Sequence, residues 1–83
     1  MAKIIIYSGK SCPFCVRAKQ LLERKGAKFE EILVQDQETK EEMMKKSGGR
    51  MSVPQIFIDD KHIGGFDDLH ALDVEGKLDD LLK

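Results

Sequence analysis

The sequence predicts an α/β fold with elements in the order β-α-β-α-β-β-α, a four-stranded mixed sheet flanked by helices. Three features predict it. A β-branched run near the start breaks at Ser8-Gly9, a helical repeat of apolar positions begins at Pro13 and stops at Gly26, and two short apolar runs are joined by Asp59-Asp60.

Ile4 to Tyr7 is β-branched and aromatic and reads as a buried central strand, and the loop after it delivers the chain to Cys12. Pro13 suits the first position of a helix. From there Phe14, Val16, Ala18, Leu21 and Leu22 recur at helical spacing among Arg17, Lys19, Gln20, Glu23 and Arg24. Lys28 to Val34 mixes alternation with an apolar end and reads as a second strand of the same sheet. Gln37 to Ser47 reads as a second helix, with Met43 and Met44 inward and Gly48-Gly49 as its stop. Val53 to Ile58 is a third strand, turned by Asp59-Asp60 into the short strand Lys61 to Ile63. Gly64-Gly65 then opens a helix from Phe66 to Val74, broken at Gly76, with a terminal turn through Leu78, Leu81 and Leu82. A right-handed crossover makes the first two strands parallel and the hairpin completes a mixed sheet, a thioredoxin-like arrangement.

With 83 residues and no change of composition along its length, the chain has room for one core, so residues 1–83 are expected to form a single domain. Fourteen Lys and Arg stand against fifteen Asp and Glu, a net charge of −1 without a basic face for phosphates, so nucleic acid is not an expected partner. Hydrophobic residues at 41% with charged residues at 35% fit a solvated globule rather than a disordered chain. The apolar run at the N-terminus is too short for the core of a signal peptide, and no segment approaches the ~20 apolar residues of a membrane span. A cytoplasmic location and no membrane are therefore the expectation. In a reducing compartment a CxxC pair is more often catalytic or metal-binding than structural.

Cys12-Pro13-Phe14-Cys15 closes too short a loop to restrain the unfolded chain, so the pair calls for a chemical explanation. If the helix begins at Pro13, Cys12 takes the N-cap place, facing the unpaired N–H groups of Phe14 and Cys15. The positive helix end, with Lys10 and Arg17 nearby in sequence, favours its thiolate; such settings bring a cysteine pKa from ~8.5 to between about 3.5 and 7.5. Cys15 lies one turn on, less exposed, and is the natural resolving thiol. A zinc site would need two more ligands, and His62 and His70 are remote and outside finger-like spacing, so no metal is expected and each reads as a lone surface histidine.

Cys12-Pro13-Phe14-Cys15, Ser52-Val53-Pro54 and Gly64-Gly65-Phe66-Asp67-Asp68 together resemble the three signature segments of a glutaredoxin, and the similarity covers nearly the whole chain. In length, and in Val53 to Asp59 and His62 to Gly65, it is most similar to the short bacterial members. The resemblance implies a cis Val53-Pro54 bond beside the dithiol, with the Val53 backbone pairing with the cysteinyl unit of glutathione. X–Pro is the bond where cis costs least, and proline at a strand's start removes no needed ladder bond. It also implies that Gly65, Phe66 and Asp67 receive the γ-glutamyl end, with Asp67 or Asp68 meeting its ammonium. The glycyl carboxylate would meet Lys10 or Arg50. Family members usually carry that lysine three residues before the first cysteine, where this chain has Gly9. Phe14 replaces a frequent tyrosine, and Phe66 stands where small or sulfur-bearing residues are common.

The activity so implied is glutathione-dependent reduction of protein-glutathione mixed disulfides and protein disulfides. Cys12 and Cys15 are its catalytic residues, glutathione is the co-substrate, no bound cofactor is required, and the protein is expected to be a monomer. Two alternatives come from other settings of the same dithiol. One is an electron donor recharged by a flavoprotein reductase, for which the Gly64 to Asp68 segment has no use. The other is a dimer holding an iron-sulfur cluster through Cys12 and glutathione, against which Pro13 argues because cluster-binding relatives often lack it.

Overall fold

The structure, a computed structural model, describes residues 2–82. Its elements run β1 (Ile4–Ser8), α1 (Pro13–Arg24), β2 (Glu30–Leu33), α2 (Gln37–Lys46), β3 (Gln55–Ile58), β4 (Lys61–Gly64), α3 (Phe66–Val74) and α4 (Leu78–Leu82). The sheet order is β2-β1-β3-β4, with β1 parallel to β2, antiparallel to β3, and β3 antiparallel to β4.

Side-chain alternation along the two central strands divides the core in two. Ile4 and Ile6 of β1 and Ile56 and Ile58 of β3 point to one face, where they pack with Ala18, Leu21 and Leu22 of α1, Leu69 of α3 and Leu78 of α4. Tyr7 and Phe57 point to the other, where Met43 of α2 covers them and Ile5, Ile32 and Val53 close the edges. Burial on both faces explains why β1 and β3 read as continuous apolar runs. The turn between β3 and β4 is tight because Asp59 and Asp60 both adopt left-handed backbone, φ 51° and 67°, as a two-residue hairpin requires. Asp59 is held there by a 2.9 Å bond to its carboxylate from the Lys3 N–H.

Several predicted boundaries move. β2 is shorter than Lys28 to Val34 and lies at the sheet's edge, with Leu33 41% exposed, so its apolar end does not mark burial. β3 begins at Gln55, two residues later than predicted, because Val53 and Pro54 form the approach to the strand rather than its first rungs. On α1, Phe14 and Val16 face outward at 50% and 47% exposure, and the buried stripe is Cys15, Ala18, Leu21 and Leu22. The inward side of α2 is Met43 alone in full burial, with Met44 at its margin. The terminal turn is a short helix whose Leu78 is fully buried.

Candidate functional site

Cys12 and Cys15 form a disulfide across the first turn of α1, with their Cα atoms 5.2 Å apart. Cys12 is the N-cap, in extended backbone (φ −108°, ψ 102°), and its sulfur accepts the Cys15 N–H at 3.2 Å. Of the two N–H groups expected to face it, Cys15's makes the bond. Ser11 just before it has φ 52°, so the chain enters the helix through a tight bend. Cys15 is 1% exposed and Cys12 partly open, so Cys12 is the cysteine of the pair that another molecule can reach. The first turn of α1 carries no acidic residue, leaving the positive end of the helix dipole unopposed at the Cys12 sulfur.

Beside the dithiol lies a groove of about 170 Å³ lined by Phe14, Arg50, Ser52, Val53, Pro54, Gly65, Phe66, Asp67 and Asp68. Three segments distant in sequence build it: the start of α1, the approach to β3 and the start of α3. The Val53-Pro54 bond is cis, and the Val53 carbonyl oxygen stands 3.8 Å from the Cys12 sulfur. Of the residues expected from the sequence to hold glutathione, Lys10 alone is not part of this lining. Gly9, three residues before Cys12, backs onto Val53: a Cβ at Gly9 would lie 3.1 Å from Val53 Cγ2. Lys10 follows in the exposed turn, so of the two proposed cations Arg50 is the one at the groove.

The far end of the groove is set by Gly64 and Asp68. Gly64 has φ 119°, and a Cβ there would overlap the Asp68 carboxylate. That carboxylate accepts the Gly65 N–H at 3.0 Å, one half of a capping box at the start of α3, and lies 3.7 Å from an Arg50 guanidinium nitrogen. Asp68 is thus engaged by its own chain, while Asp67 has no hydrogen bond or ion pair among the described residues. Between the two candidates for a ligand's ammonium, Asp67 is the freer.

Sequence reasoning missed the web beneath the approach to β3. Gln55 is fully buried; its Nε2 donates to the Ser52 carbonyl at 2.9 Å and lies 3.3 Å from Ser52 Oγ, while its Oε1 meets His62 Nε2 at 2.7 Å. These bonds fix the backbone immediately before Val53 to the sheet. His62 is therefore not a lone surface histidine. Burial, then the nearby Arg50 charge, push its pKa below the ordinary 6.5, with Asp68 opposing. A Gln three residues after a Ser at the head of an apolar strand was the available signal for the Ser52–Gln55 part of it. His70 is exposed and stacks on Phe66, 5.6 Å between ring centres. Among the described residues, no three His, Cys, Asp or Glu side chains converge on a metal-sized site.

Comparison with known proteins agrees with this geometry. The glutaredoxin family model matches residues 4–63. The chain is 54% identical to glutaredoxin 3 of Escherichia coli (strain K12) over 83 residues, covering all of both chains. Its fold superimposes on the solution structure of a glutaredoxin from Brucella melitensis with a TM-score of 0.87 and 55% identity, covering 100% of this chain and 90% of that one. A crystal structure of a buckwheat glutaredoxin-glutathione complex gives the same TM-score at 29% identity, covering 98% and 76%. A dithiol at the start of α1, a thioredoxin-like sheet and likeness over the full length converge: the chain belongs to the glutaredoxin family of thiol-disulfide oxidoreductases.

Proposed function

We propose that this single-domain protein, residues 1–83, reduces protein-glutathione mixed disulfides and protein disulfides in the cytoplasm, as a monomer, with glutathione as electron source and no bound cofactor. The observation that carries the reading is the partly open Cys12 beside a groove that ends at the first turn of α3 and is bounded by Arg50 and Asp67. The crystallised buckwheat relative is a glutathione complex, which supports the same occupant here. In this reading the Val53 backbone pairs with the cysteinyl unit, and Pro54 and Phe14 wall it. Arg50 meets the glycyl carboxylate. Gly65, Phe66 and Asp67 hold the γ-glutamyl end at the start of α3, and Asp67 faces its ammonium while Asp68 keeps the cap in place.

The chemistry is two displacements at sulfur. The Cys12 thiolate attacks the glutathione sulfur of the mixed disulfide; a Cys12–glutathione bond forms, and the protein sulfur leaves as a thiolate that takes a proton from water. A second glutathione thiolate then attacks that glutathione sulfur, releasing Cys12 and oxidised glutathione. On a protein disulfide, the Cys12 thiolate attacks one protein sulfur, the protein S–S bond breaks, and the other protein sulfur leaves as a thiolate that takes a proton from water. Cys15 then attacks the Cys12 sulfur, freeing a reduced substrate and leaving the Cys12–Cys15 disulfide seen here. The Cys15 N–H and the helix end stabilise Cys12 as attacking and leaving thiolate alike.

The test is turnover of a small glutathione mixed disulfide, with glutathione and its reductase, by the wild type and two variants. Cys12→Ser is expected to abolish it and Cys15→Ser to retain it. A fully active Cys12→Ser protein would sink the mechanism, and turnover driven by thioredoxin reductase but not by glutathione would replace this electron source with a flavoprotein.

A further inference from the structure

At the rim of the groove a row of flat groups crosses from α1 to α3: Phe14 and Phe66, which line the groove, are flanked outside it by Arg17 and His70. The Arg17 guanidinium lies over the Phe14 ring at 5.6 Å from its centre. Phe14 lies 6.2 Å from Phe66 at a 32° tilt, and Phe66 stacks on His70 at 5.6 Å and 22°. Phe14 is half exposed, and Arg17 and His70 are open to solvent. Single exposed apolar residues are ordinary, but contiguous rings edged by arginine have the composition of interface centres.

Two further observations say what covers it. The row begins at Phe14, between the two cysteines, so it is continuous with the redox centre. In an in-line displacement the leaving sulfur stays within two disulfide bond lengths of Cys12, roughly 4 Å, so the departing chain passes within side-chain reach of Phe14. Charge gives the second: α1 has no acid in its first turn, and among the described residues Arg17 makes no ion pair, so this flank is complementary to an acidic segment.

We propose that the Arg17-Phe14-Phe66-His70 row docks the polypeptide part of the substrate. It selects segments that carry an aromatic or large aliphatic residue beside the reactive cysteine, seated on Phe14 and Phe66, with an Asp or Glu placed to pair with Arg17. This rests on the reading above, in which glutathione fills the groove and the leaving polypeptide lies outside it.

Three substrates separate the two ideas: a mixed disulfide of glutathione with a small thiol, a glutathionylated peptide with Phe and Asp beside its cysteine, and a matched peptide with Gly and Lys. The wild type and Arg17→Glu are assayed on each, and every peptide kcat/KM is divided by the same protein's value on the small substrate, so that any change in Cys12 reactivity cancels. The wild type is expected to prefer the Phe-Asp peptide by about threefold or more, and Arg17→Glu to lose or reverse that preference. Equal normalised values for the two peptides in the wild type, or an unchanged preference in Arg17→Glu, would overturn the docking proposal while leaving the glutathione reading intact. Absence of turnover on the small mixed disulfide would overturn both.

Discussion

Gly64 and Gly65 look interchangeable in the sequence but carry different constraints. Gly64 sits at φ 119°, and a side chain there would displace the Asp68 carboxylate that caps α3. Gly65 has ordinary extended backbone, φ −93°, with room for a Cβ 3.4 Å from the Pro54 carbonyl oxygen. Gly64→Ala is therefore expected to cost about 1–3 kcal/mol in urea unfolding, and Gly65→Ala clearly less. The asymmetry of the cysteines was legible because a helix start imposes it: the residue before Pro13 faces the open N–H groups, and the one three places on is covered. The position of Lys10 was not. It follows from Gly9 backing onto Val53, a contact between segments more than forty residues apart that no local pattern encodes. The difference between Asp67 and Asp68 was not legible for a similar reason, since both Gly65 and Arg50 claim Asp68 only once β4 has delivered the chain to α3.

At the scale of elements, β1, α1, α2 and the hairpin were readable from periodicity, and so was β2 except for its ends, because an edge strand pairs on one side and buries little. What holds β2 is polar. Glu31 accepts bonds from Lys19 Nζ of α1 at 2.8 Å and from Ser8 Oγ of β1 at 2.6 Å, so one carboxylate ties three elements together. The Lys19 bond first, then the Ser8 bond, hold the Glu31 pKa below the ordinary 4.5. A carboxylate with a depressed folded-state pKa contributes stability that is complete above the unfolded value and lost as the pH falls through the folded one. Wild-type stability is thus expected to decline below about pH 4.5 with a component that Glu31→Gln lacks. Parallel curves for the two proteins from neutral to acid pH, measured by denaturant melts, would contradict it. Helical spacing located α1 but could not tell that Phe14 and Val16 turn away from the Ala18, Leu21 and Leu22 stripe.

Across the whole molecule, the two-sided sheet does the assembling. Burying β1 and β3 between α1, α3 and α4 on one face and α2 on the other brings the dithiol, the approach to β3 and the start of α3 to one groove. Those three segments could be recognised separately in the sequence because each has its own chemistry: a CxxC at a helix start, a proline before a strand, a pair of glycines before acids. The Ser52, Gln55 and His62 web that pins the middle one could not, since it depends on the β3–β4 register. The central claim is that the groove places glutathione, rather than the polypeptide, on Cys12. It is tested most directly by mixing Cys15→Ser with an equimolar glutathionylated peptide, quenching with acid and weighing the adduct by mass spectrometry. A glutathionyl group on Cys12 and free peptide are expected; a peptide adduct on Cys12 with release of glutathione would contradict this placement.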